Sequence, residues 1–90
     1  MNLDQLEAID LIAQLGSFRA AAAKLKRSQP ALSAAIKNLE AEFGILIFDR
    51  SAYRPKLTEA GAIFLSAART TLNAAKQASR IAGGRSFLSG

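Results

Sequence analysis

The sequence predicts a mainly α-helical domain with a short β-ribbon and a long final helix. Three observations carry that reading. Apolar residues recur at helical spacing in three successive segments up to Gly44, the period shifts to a β-prone apolar run over residues 45–48, and no proline interrupts residues 58–82. Ninety residues, 50% of them apolar and without an internal repeat, suit one small domain with an appended element.

In the first segment Leu3, Leu6, Ile9, Ile12 and Ala13 follow helical spacing. Asp4 and Glu7 sit early, where negative charge suits a helix N-terminus, and Gly16 closes the helix. Asp4, Glu7 and Asp10 form an outward row expected to be solvated, since no turn gathers them around a cation. Ser17 is the natural N-cap of a second helix in which Phe18, Ala21, Ala22 and Leu25 share a face. The alanine run 20–23 favours helix and lets a following helix cross closely.

Lys26 and Arg27 then make a tight connection to the third helix, residues 28–43, with Ser28 as cap, Pro30 in the first turn and Gly44 at the end. Leu32, Ile36, Leu39 and Phe43 fall on one face, expected to be anchored in the core. Gln29, Ser33 and Lys37 recur at i, i+4 and i+8 on another face, expected to be offered outward. From spacing alone, a helix-turn-helix and an ordinary helical hairpin are equally good descriptions of the second and third helices.

Residues 45–48 read as one short strand, residues 51–55 as a turn, and Lys56-Leu57 as the returning strand: a wing with Arg50 at its base and Arg54 at its tip. Thr58 and Glu59 start the last helix, in which Gly61 is a weak point. At 1.5 Å per residue some 24 residues extend about 36 Å, more than a domain of this size covers with its own surface. Its broad stripe of small residues is expected to pack partly on the domain and partly against the same helix of a second subunit, with Phe64, Ala68, Thr71, Leu72, Ala75 and Ser79 at that dimer interface. The expected organisation is 1–58 for the winged domain, 59–83 for the linker and dimerisation helix, and 84–90 for a flexible tail.

Composition narrows the function. Twelve Lys and Arg against seven Asp and Glu give a net charge of +5. Residues 1–18 hold three acids and no base, whereas residues 19–39 hold Arg19, Lys24, Lys26, Arg27 and Lys37 and no acid, so positive charge gathers on the segment with the outward-facing third helix. With no Cys and no His, no scattered Ser has a base partner and the usual zinc ligands are missing. No phosphate-cradling glycine loop is present, and neither an enzyme nor a cofactor or metal site is expected. The acidic start is unlike a signal peptide, and the final helix is too alanine-rich for a membrane surface, so a cytoplasmic protein is expected.

Binding chemistry is well supplied. In a DNA major groove Gln29 offers donor and acceptor together, Ser33 either, and Pro30 or Ala34 an apolar edge for a thymine methyl group. Ser17 and Phe18 at the start of the second helix, Arg27 and Ser28 before the third, Arg50 at the wing base and Arg54 at its tip are the expected contacts to phosphates and the minor groove.

Gly16-Ser17-Phe18 with the alanine run, Ser28 to Ser33, Ile36 to Glu40, Phe48-Asp49-Arg50 and Leu57 to Gly61 occur in the order and spacing that resemble the N-terminal DNA-binding domain of LysR-type transcriptional regulators. The resemblance extends to about Gly83. It implies a winged helix-turn-helix, three helices plus a two-stranded wing, followed by a long linker helix. It also implies a bacterial regulator that binds double-stranded DNA as a homodimer, with a tetramer possible in a full-length regulator. The start of the reader helix faces bases in that family and the wing arginine approaches the minor groove, which points here to Gln29, Pro30, Ser33, Lys37 and Arg54. The family's C-terminal sensor for a small-molecule inducer is not in this chain. Many members carry Arg and Gln where this chain has Ala34 and Ala35, so modest base discrimination is expected, with shape and phosphate contacts carrying more of the binding.

Overall fold

Helix α1 (Leu3–Leu15) begins at a capping box that the sequence reading missed: the Asn2 side chain accepts from the Gln5 amide while the Gln5 side chain accepts from the Asn2 amide. The computed structural model describes residues 1–83, and the expected tail 84–90 lies outside them. Gly16 ends α1 in the left-handed conformation (φ 67°). Ser17 caps α2 (Phe18–Leu25), accepting from the Ala20 amide at 3.0 Å. Lys26 ends α2 in the same left-handed region (φ 57°), the one non-glycine residue with positive φ among the described residues.

Ser28 accepts from the Ala31 amide to start α3 (Gln29–Phe43), and Gly44 ends it at φ 66°. Strands β1 (Phe48–Asp49) and β2 (Lys56–Leu57) pair antiparallel, Phe48 opposite Leu57 and Asp49 opposite Lys56. Thr58 caps α4 (Glu59–Ile81) by accepting from the Gly61 amide, and its hydroxyl donates to the Leu46 carbonyl. Three helices, a two-stranded wing and a long fourth helix make a winged helix-turn-helix, as expected.

The core lies where α1, α2 and α3 meet the wing base. Ile9, Ile12, Leu32, Ile36, Leu39, Ile47 and Phe48 are fully buried there, each large side chain contributing roughly 1.5–3 kcal/mol on removal from water. A smaller cluster of Leu6, Ala68 and Leu72, flanked by Leu3 and Phe64, docks α4 on α1. Asp10 reinforces that joint, accepting from Arg69 at 2.8 Å, so it is not the solvated acid expected of the outward row.

Four other expectations are corrected. Phe43 is 45% exposed because it lies at the last turn of α3, beyond the core, where it meets Phe64 at 5.7 Å between ring centroids. The strand over residues 45–48 shrinks to Phe48–Asp49, with Leu46 exposed. Gly61 is required: a Cβ there would overlap the Ile47 carbonyl, so its absence lets α4 start against the wing. Ala68 and Leu72, assigned to a dimer interface, are instead buried against α1 within one protomer.

Candidate nucleic-acid interface

The reader face of α3 is open as expected. Gln29, Pro30, Ala34 and Lys37 are exposed and Ser33 is half-buried, while Leu32, Ile36 and Leu39 on the opposite side are inaccessible. Gln29 and Ser33 form one wall of a groove of about 640 Å³. Its floor is the α1–α2 turn with the first turn of α2, including Ser17, Phe18 and Arg19, and its far wall is the wing, with Arg50, Ala52, Tyr53, Arg54 and Pro55. Three arginines line it and no carboxylate does. Such a cleft concentrates positive potential on whatever occupies it.

The wing is held by a residue that periodicity alone did not single out. Glu40 lies on the buried side of α3, only 6% exposed. Its Oε2 accepts from the amides of Ile47 (2.7 Å) and Phe48 (3.3 Å), and its Oε1 accepts from the Arg50 guanidinium at 3.1 Å. One carboxylate thereby ties the reader helix to the wing base. An acid on the buried face, followed ten residues later by an arginine, is the signal that would have revealed it.

The expected phosphate contacts therefore divide. Arg50 is engaged by Glu40 and lies over the Phe18 ring, 5.1 Å from its centroid, so only part of its donor fork is left for a ligand. Phe18 is half-buried and meets Phe48 edge to face at 5.6 Å, which makes it a packing residue at the groove floor rather than a direct contact. Arg27 pairs with Asp4 at 3.2 Å across an exposed surface, a weak and exchangeable bond. Ser17 and Ser28 use an oxygen lone pair for capping and keep a hydroxyl proton to donate.

Arg54 does not extend from the tip of the wing. Its Nη1 lies 3.7 Å from where a Gly16 Cβ would stand, so the guanidinium turns back toward the α1–α2 turn, inside the groove. At the wing turn Asp49 accepts from the Ser51 hydroxyl (2.6 Å) and amide (2.9 Å), and these bonds, the hydroxyl's first, hold its carboxyl below the ordinary value.

The expected dimer residues also separate. Thr71 is exposed, Phe64, Ala75 and Ser79 are half-buried, and Ala68 and Leu72 face inward. On the outer side of α4, Ile63, Ala67, Thr70, Ala74, Ala78 and Ile81 recur at i, i+4, i+7, i+11, i+15 and i+18, all exposed and uncharged. No helix among the described residues is long and apolar enough to cross a membrane, and no group of three or more His, Cys, Asp or Glu is placed to hold a metal ion.

Residues 3–62 match the family described as bacterial regulatory helix-turn-helix protein, lysR family. The chain belongs to this family. Among LysR-family relatives it is 42% identical over 79 residues to a probable RuBisCO transcriptional regulator of Nostoc sp., a match covering 88% of this chain and 23% of that protein. The chain thus spans about a quarter of that relative. Its fold superposes on a full-length variant of OxyR from Pseudomonas aeruginosa with a TM-score of 0.86 at 38% identity, covering 91% of this chain and 28% of the other. It superposes on the DNA-binding domain of BenM, solved in complex with catB site 1 DNA, with a TM-score of 0.84 at 36% identity, covering 94% and 100%. Both likenesses include the long helix α4, since the LysR-family match by itself ends at residue 62.

Proposed function

We propose that this chain is the DNA-reading part of a cytoplasmic bacterial transcriptional regulator, without enzymatic activity, which binds duplex DNA sequence-specifically as a homodimer. The observation that carries the reading is the groove: exposed Gln29 and half-buried Ser33 on one wall, Arg50 and Arg54 on the other, Arg19 and the Ser17 cap on the floor, and no acid among them. The exposed start of α3 enters the major groove, where Gln29 bonds an adenine edge, Ser33 accepts or donates, and Pro30 and Ala34 meet thymine methyl groups. Lys37, farther along the same face, and the arginines supply charge to the phosphates. Family membership and likeness to a domain solved with DNA support this assignment.

The second subunit docks on the uncharged outer face of α4, with Thr71 beside that face and Ala75 and Ser79 on its inner side toward the C-terminal end. The two reader helices then face one side of an interrupted palindrome. Selection of bound fragments from random duplex DNA, followed by titration of the selected site and a scrambled duplex across salt concentrations, tests the reading. Log affinity is expected to fall with log salt at a slope near −0.9 per phosphate contact on both duplexes, with a persistent gap in favour of the selected site. Equal affinity for the two duplexes would reduce the protein to a non-specific DNA binder, and no binding to either would refute the proposal.

A further inference from the structure

Tyr53 is 99% exposed at the turn of the wing. The side chains around it cannot reach far: Ser51 and Ala52 are short, Ser51 is bonded to Asp49, and Arg54 is turned back toward Gly16. The phenol is therefore the one long side chain free at the wing tip, and packing within the chain gives no reason for a large aromatic there. It stands on the wall of the groove facing Gln29 and Ser33. If α3 lies in the major groove, the ridge that must fill this arginine-lined cleft is the DNA strand bordering that groove. The surface beyond the ridge is then the adjacent minor groove, about 6 Å wide and able to take an aromatic ring edge-on.

We infer that Tyr53 is a specificity-determining residue that lays its ring into the minor groove beside the site read by α3. This rests on the DNA-binding reading above. A ring in that position packs against deoxyribose and meets the floor of the groove, where A·T pairs present only acceptors and a G·C pair adds a projecting 2-amino group. Tyr53 therefore favours A·T pairs at the flank, a preference the major-groove contacts of Gln29 do not produce.

Base analogues separate the two grooves. The 90-residue chain and its Tyr53→Ala variant are titrated by fluorescence anisotropy against a duplex selected from a random pool. The same duplex is also used with flanking adenines replaced by 2,6-diaminopurine, which adds the minor-groove amino group, or with flanking A·T replaced by inosine·cytosine, which changes only the major-groove edge. The wild type is expected to lose about tenfold in affinity to the diaminopurine duplex and little to the inosine duplex. Tyr53→Ala is expected to bind the parent duplex about tenfold more weakly than the wild type and not to sense diaminopurine. Parent binding unchanged by Tyr53→Ala, or a diaminopurine penalty that persists in the variant, would overturn the inference while leaving the DNA-binding reading intact. A wild type that binds no duplex would overturn both.

Discussion

At Glu40 a single carboxylate satisfies two loop amides and one guanidinium while almost completely removed from water. A buried charge is tolerated only when its lone pairs are used, and here they are used on groups that would otherwise be unpaired themselves. Glu40→Ala is expected to destabilise the domain by about 3 kcal/mol in urea denaturation, because it orphans the Ile47 and Phe48 amides and leaves Arg50 without its partner. Gly61 gives the opposite lesson about side chains. On an exposed helix interior Gly→Ala would stabilise by about 1 kcal/mol, but here the added methyl meets the Ile47 backbone, with its carbonyl carbon at 2.9 Å. Gly61→Ala is therefore expected to lower stability by about 1–3 kcal/mol, a reversal of sign that thermal unfolding would reveal.

Among the elements, α4 has two faces with different duties. Its inner face, from Gly61 through Leu65 and Ala68 to Leu72, is consumed by the wing and α1. Its outer face, from Ile63 to Ile81, is free of charge. A helix of 23 residues is about 34 Å long, against principal extents of 43 × 25 × 21 Å for the molecule, so α4 exceeds both of the shorter dimensions. Substitutions on the two faces should differ in kind. Ala74→Glu is expected to shift the protein toward monomer in sedimentation velocity with its unfolding midpoint at low protein concentration unchanged. Leu72→Glu is expected to destabilise each protomer by about 3–5 kcal/mol, since it buries an unpaired charge against Leu6. A dimer untouched by Ala74→Glu would move the interface off this face.

For the molecule as a whole, base reading and phosphate holding are assigned to opposite walls of one groove, which makes them separable. Gln29→Ala is expected to narrow the gap between selected and scrambled duplex by about 1–3 kcal/mol, whereas Arg54→Ala is expected to weaken both alike and lower the salt slope by about one unit. Equal losses on both duplexes from Gln29→Ala would remove it from the base-reading set. The two walls are kept in register by Glu40 from within and by Thr58, whose hydroxyl joins the start of α4 to the loop entering the wing. Segregation of charge, noted along the sequence, becomes a division of surfaces: the first helix spends Asp4 and Asp10 on Arg27 and Arg69, and the groove is left without acids.

Local chemistry accounts for what the sequence by itself determined. Caps at Ser17, Ser28 and Thr58, left-handed stops at Gly16 and Gly44, and the spacing of Leu32, Ile36 and Leu39 act within a turn or two of the chain, so the helices, the wing and the outward reader face were legible before any coordinates. Tertiary structure alone decided the pairings between distant residues. Periodicity could not say that Arg50 would be taken by Glu40, that Arg54 would fold back on Gly16 and leave Tyr53 at the tip, that Asp10 would leave the solvated row for Arg69, or that Leu72 would be claimed by Leu6 instead of a partner chain. A helical repeat states which residues share a face. Which neighbour covers that face depends on how the elements meet in space, and side-chain charge and volume settle it only after they have met.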